Sequence, residues 1–117
     1  MPLINVFTSA PPPDADRVDA LLLALSATLS KELRKPESYV MTCLNPGLSM
    51  TFAGTTLPAC YAELKNVGAL SADTTARLSK VLTAMLAEAL GIASDRIYIE
   101  FANVEPHLFG FNGETFA

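Results

Sequence analysis

The sequence predicts an α+β fold of the layered α/β kind: two βαβ repeats, with a four-stranded sheet carrying two helices on one face. Three observations point there. Short runs of β-branched and aromatic residues alternate with long stretches of helical periodicity, in the order strand, helix, strand, and that order occurs twice along the 117 residues. Each helical stretch carries one apolar stripe, as expected of a helix lying on a sheet. The strand candidates carry apolar side chains on both faces, as in sheets covered on both sides.

Taken in order, Leu3 to Thr8 is the first strand candidate. Pro11-Pro12-Pro13 interrupts it, and Asp14 or Asp16 is placed to cap the helix that follows. Val18, Leu21, Leu22, Leu25, Leu29 and Leu33 recur at three- and four-residue steps on one helix face. Lys35-Pro36 ends that helix, because the residue before proline is pushed out of the helical region. Tyr39 to Leu44 reads as the second strand. The plan then repeats. Tyr61 to Val67 is a strand, Gly68 a break and Ser71 a helix cap. Leu78, Val81, Leu82, Met85 and Ala89 form the second stripe, Gly91 stops it, and Ile97 to Phe101 is the last strand. The joints echo each other, Pro36-Glu37-Ser38-Tyr39-Val40-Met41 beside Ser94-Asp95-Arg96-Ile97-Tyr98-Ile99. One domain over residues 1–117 is expected, with repeats at about 2–54 and 55–117 and right-handed crossovers.

Two helices cover one face of a four-stranded sheet, so the other face needs a cover. Half of the residues are hydrophobic and only 17% are charged, which points to apolar surface hidden against further copies of the chain. An oligomer is expected. The net charge of −4 argues against nucleic acid and gives no attraction to anionic membranes. No apolar run is long enough to span a bilayer, and no signal sequence is recognisable at the N-terminus. A cytoplasmic location is therefore the default expectation, with non-classical secretion left open. Cys43 and Cys60 have neither metal nor redox spacing and read as free buried thiols. His107 has no metal-ligand companion and reads as a loop or capping residue.

Pro2 is the first candidate for chemistry. A small residue after the initiator methionine is the usual condition for its removal, which would leave a secondary amine on a rigid ring. The whole length of the chain resembles the macrophage migration inhibitory factor family of the tautomerase superfamily. The resemblance is carried by Pro2, by Lys35-Pro36 with Tyr39 after it, and by Met50-Thr51-Phe52-Ala53-Gly54 leading to Pro58. Val67-Gly68, Asp95-Arg96-Ile97-Tyr98-Ile99 and the ending Gly110-Phe111-Asn112-Gly113-Glu114-Thr115-Phe116 complete it.

That resemblance implies a homotrimer with its sheets facing inward and a site at each subunit interface. It implies keto–enol tautomerisation of small aromatic α-keto acids such as phenylpyruvate, and of dopachrome-type compounds, without cofactor or metal. Pro2 would be general base and acid. Lys35 and the Val67 backbone would meet the substrate carboxylate or enolising oxygen, and Tyr39, Phe111 and Phe116 would line the aromatic slot. Tyr98 would come from a neighbouring subunit, and Glu100 would stand near the far end of the substrate.

The departures are specific. Glu100 stands where vertebrate members have asparagine, Phe111 where many relatives have tryptophan, and Arg34 where glycine is usual. The vertebrate Cys-x-x-Cys stretch is here Ala59-Cys60-Tyr61-Ala62, so thiol oxidoreductase activity is not expected. The other reading implied by the resemblance is a cytokine-like protein that binds a receptor if secreted, with catalysis vestigial.

Overall fold

The computed structural model describes residues 1–117. Its strands and helices follow the predicted order: β1 Pro2–Thr8, α1 Ala15–Leu33, β2 Met41–Asn45, β3 Cys60–Val67, α2 Ala72–Leu90 and β4 Ile97–Val104. A small hairpin, β5 Gly110–Phe111 and β6 Glu114–Thr115, follows. The sheet order is β2-β1-β3-β4. β1 and β2 are parallel, β3 and β4 are parallel, and β1 and β3 pair antiparallel at the centre. Each parallel pair is bridged by its helix, and the antiparallel seam joins two like halves.

Helix boundaries follow from local chemistry. Asp14 accepts from the Arg17 N–H at 3.0 Å, and Ser71 accepts from the Thr74 N–H at 3.2 Å, so both N-termini have side-chain caps. Both helices end on a left-handed residue, Arg34 at φ 53° and Gly91 at φ 66°. Glycine adopts that conformation freely, whereas arginine does so at a cost of about 1 kcal/mol.

The core lies between the helices and one sheet face. Leu21, Leu25 and Leu29 of α1 and Leu78, Leu82, Leu86 and Leu90 of α2 are buried against Ile4, Val6, Ala62 and Leu64. The second helix uses a line slightly rotated from the predicted stripe. Leu86 and Leu90 are buried and Ala89 is exposed, because Leu78 begins a run of four-residue steps down the face that meets the sheet.

The opposite sheet face is open within the chain. Met41 at 63% and Tyr98 at 64% exposure stand on it, beside a Phe7–Tyr61 ring stack at 6.1 Å. Cys43 lies on this open face and is exposed, contrary to the buried thiol expected. Cys60 points to the core, where burial pushes its thiol up to about 11. The two thiols therefore occupy opposite faces of the sheet and cannot pair within one chain. Burial, with the Glu100 and Glu63 carboxylates beside it, also pushes the Tyr61 phenol up.

Candidate active site

Pro2 begins β1 at the centre of the sheet, beside Asn66 of β3, and is fully buried. The proline ring fits a strand's first residue, where no ladder donor is required of it. Next to it opens an apolar cavity of about 230 Å³, lined among others by Met1, Pro2, Tyr39, Phe109, Phe111 and Phe116.

Two local devices build that aromatic wall. After Pro36, residues Glu37–Tyr39 form a 3-10 turn, with the Val40 N–H donating to the Glu37 carbonyl at 3.0 Å. Tyr39 thus belongs to a turn ahead of β2, not to the strand predicted for it, and its ring is free of the sheet's alternation. The second device is the β5–β6 hairpin. Asn112 at φ 51° and Gly113 at φ 80° make its two-residue turn, the conformation that Asn-Gly pairs favour. That dipeptide is the signal by which the hairpin could have been read from sequence. The Phe116 N–H donates to the Phe109 carbonyl at 3.2 Å and ties the end of the chain back. Tyr39 meets Phe111 edge-on at 5.4 Å and Phe116 at 6.1 Å, while Phe111 and Phe116 stack at 5.7 Å. Such packing gives the cavity an apolar, aromatic wall.

Lys35 is held at the end of α1. Its backbone N–H donates to the Ser30 carbonyl at 3.1 Å, and its carbonyl accepts from the Ser30 hydroxyl at 2.6 Å. Its ammonium donates to the Val67 carbonyl at 3.4 Å. Two residues expected at the site, Lys35 and Val67, are therefore in direct contact. The α-amino group of Met1 titrates below its ordinary value, first because it is partly buried and second because the Lys35 charge is near. With Met1 attached, the Pro2 nitrogen is an amide and carries no basic lone pair.

Tyr98 and Glu100 are not part of this cluster. Pro2 lies in register with Asn66 and Asn103, whereas Tyr98 is paired with Tyr61 near the other end of the sheet. Five residues of strand separate Tyr98 from Asn103, roughly 16 Å of rise. Tyr98 packs edge-on against Phe52 at 4.9 Å, and Glu100 stands two residues along on the same open face. Met1 and Phe109 line the cavity but were not foreseen, since neither residue type at its position carries a pattern.

No group of histidine, cysteine or acidic side chains is arranged to hold a metal ion. No helix is long and apolar enough to cross a membrane.

Comparison with known proteins places these features in one family. The family model described as macrophage migration inhibitory factor (MIF) matches residues 1–117. The macrophage migration inhibitory factor homolog of Brugia malayi is 34% identical over 116 residues, covering 99% of each chain. The Rattus norvegicus macrophage migration inhibitory factor is 32% identical over 117 residues and is covered in full. Among solved structures, the homologue from Prochlorococcus marinus superposes with a TM-score of 0.92 at 46% identity, over 98% of this chain and 99% of that one.

Proposed function

The chain belongs to the macrophage migration inhibitory factor family, and from that premise we propose that it is a keto–enol tautomerase acting on small aromatic α-keto acids such as phenylpyruvate and on dopachrome-type compounds. The observation that carries this reading is the position of Pro2, buried at the floor of the aromatic cavity.

The mechanism begins with removal of Met1, which converts the Pro2 amide into a secondary amine. Taking a proton from carbon next to a ketone requires a base that is neutral at working pH. Burial and the nearby Lys35 charge both disfavour an ammonium here, as they do for the Met1 amine. Neutral Pro2 takes the α-carbon proton, the carbon–carbon double bond forms, and negative charge moves onto the carbonyl oxygen. Lys35 and the Val67 backbone offer positive charge and a donor where that charge grows. The proton held by Pro2 is then passed by way of water to the oxygen, which restores the neutral amine, so the enol is an isomer of the ketone with nothing else consumed. The reverse direction uses protonated Pro2 as the acid.

Tyr39, Phe111 and Phe116 hold the substrate ring in this reading. Tyr98 and Glu100 complete the slot from a neighbouring subunit of a homotrimer, whose formation also covers the open sheet face. Glu100 there favours substrates that bear a phenolic hydroxyl, since a carboxylate accepts its hydrogen bond.

The test is phenylpyruvate tautomerisation by processed protein against Pro2→Gly. A loss on the order of a hundredfold or more in kcat/KM is expected when the rigid secondary amine is replaced. A folded Pro2→Gly protein with undiminished activity would remove Pro2 from the mechanism. A processed, assembled and inactive wild type would favour the receptor-binding reading instead.

A further inference from the structure

Arg96 closes the 3-10 turn Ser94–Arg96 directly before β4, and its guanidinium reaches back to the segment between β2 and β3. Its Nε donates to the Pro58 carbonyl at 2.8 Å, one terminal nitrogen to the Leu57 carbonyl at 2.8 Å and the other to the Phe52 carbonyl at 3.1 Å. Three carbonyls on one planar fork fix the guanidinium in orientation as well as in place. The same group lies 5.3 Å from the centroid of the Phe52 ring, as a cation over an aromatic face. Phe52 is therefore held at its backbone and at its ring by one side chain. Its backbone also closes on Thr55, each N–H donating to the other's carbonyl, at 3.0 Å and 3.1 Å. The turn between them is left-handed at both residues, Ala53 at φ 53° and Gly54 at φ 74°.

What this fixed ring touches is Tyr98. The two rings meet edge-on at 4.9 Å, with 65° between their planes. Tyr98 is otherwise open, 64% exposed on the sheet face without helices and remote from its own chain's Pro2. An exposed aromatic side chain on a strand has several staggered orientations available, and packing on one side selects among them. A ring so exposed removes little apolar area from water, so the contact adds little to the stability of the single chain. What it does supply is a ring with a set direction, aimed outward from the chain that carries it.

We propose that Arg96 and Phe52 are positioning residues, which together hold Tyr98 in the orientation that a neighbouring subunit's aromatic slot receives. The inference rests on the tautomerase reading and on the supply of Tyr98 from a neighbouring subunit. Neither Arg96 nor Phe52 touches the reacting atoms. Both act through the Tyr98 ring, and both belong to the chain that supplies that ring, not to the chain that supplies Pro2.

The test is a double-mutant cycle in phenylpyruvate kinetics on processed protein. Phe52→Leu keeps apolar bulk but removes the ring, and Arg96→Lys keeps the charge but not the three-pronged contact. Both are milder than truncation to alanine, and Phe52→Leu leaves the Arg96 contacts with the backbone available. Each is expected to raise KM on the order of fivefold, the worth of one aromatic contact, with kcat near wild type. The split follows because Tyr98 meets the bound ring and not the reacting carbon. In a Tyr98→Ala background neither change should have any further effect, whereas general damage to the fold would add to it. Mixed assemblies give a second readout. Phe52→Leu mixed with Pro2→Gly should contain sites with the wild-type KM, because some interfaces then join a native Pro2 to a native Phe52–Tyr98 pair. Phe52→Leu mixed with Tyr98→Ala should contain none, since both changes lie on the supplying chain. Unaltered kinetics in Tyr98→Ala would take Tyr98 out of the slot and end the proposal together with that part of the reading. An impaired Tyr98→Ala beside an unaltered Phe52→Leu or Arg96→Lys, or effects that add in the double variants, would overturn the positioning role alone.

Discussion

Arg34 and Lys35 are adjacent, yet opposite pressures act on them. Arg34 occupies φ 53°, a conformation that disfavours any side chain with a β-carbon. Arg34→Gly is therefore expected to raise unfolding stability by about 1 kcal/mol in a denaturant titration, and an unchanged midpoint would show that the left-handed residue carries no strain. Lys35 acts on the amine at the N-terminus. A cation lowers the pKa of a neighbouring amine, so neutralising it must raise that pKa. Activity that needs a neutral base is lost as pH falls through the pKa. The acid limb of the kcat/KM profile in processed Lys35→Ala is thus expected at higher pH than in wild type, and a limb that stays in place or moves down would contradict the coupling. The sequence shows that Lys35 ends a helix. It does not show that Ser30 fixes the Lys35 backbone at both its N–H and its carbonyl, because that depends on how the chain turns after Arg34.

Among the elements, strands and helices were the most legible. Period and breakers suffice where a helix buries one stripe and a strand is bounded by glycine or proline, and this covers β1 through β4 and both helices. Tyr39 was misplaced because an aromatic residue next to aliphatic ones looks like strand, while a 3-10 turn is set by the hydrogen bond back to Pro36 and leaves no period. The burial of Cys43 was misjudged for a different reason: within one chain it faces the side of the sheet without helices. The segment between β2 and β3 has little regular structure, and a side chain from far along the sequence secures it. Arg96 donates to the Pro58 carbonyl at 2.8 Å, the Phe52 carbonyl at 3.1 Å and the Leu57 carbonyl at 2.8 Å, with its guanidinium 5.3 Å from the Phe52 ring. Arg96→Ala should therefore speed amide hydrogen exchange in residues 51–58 while leaving β1 and β3 protected. Uniform exchange with wild type in that segment would show that the loop holds itself.

At the scale of the whole molecule, the chain is a half-covered sheet. The fold follows from pattern because the helices bury one face, but the candidate site is only partly legible. Pro2, Tyr39, Phe111 and Phe116 gather at one end of the sheet, and Tyr98 stands near the other. If neighbouring subunits supply Tyr98, two crippled chains can complement each other. Mixed assemblies of Pro2→Gly and Tyr98→Ala would contain interfaces bearing both native residues, and are expected to regain part of the activity that each variant lacks alone. Mixtures no more active than the separate variants would argue that each chain works with its own Tyr98. Behind the proposed function lies one chemical claim, that a free Pro2 amine in the aromatic cavity is the base. The direct measurement is intact mass together with phenylpyruvate tautomerase activity on the same preparation, comparing chain that retains Met1 with chain that has lost it. Activity confined to the chain lacking Met1 is the predicted result, and equal activity in chain that keeps it would contradict the account, because an amide nitrogen cannot take the proton.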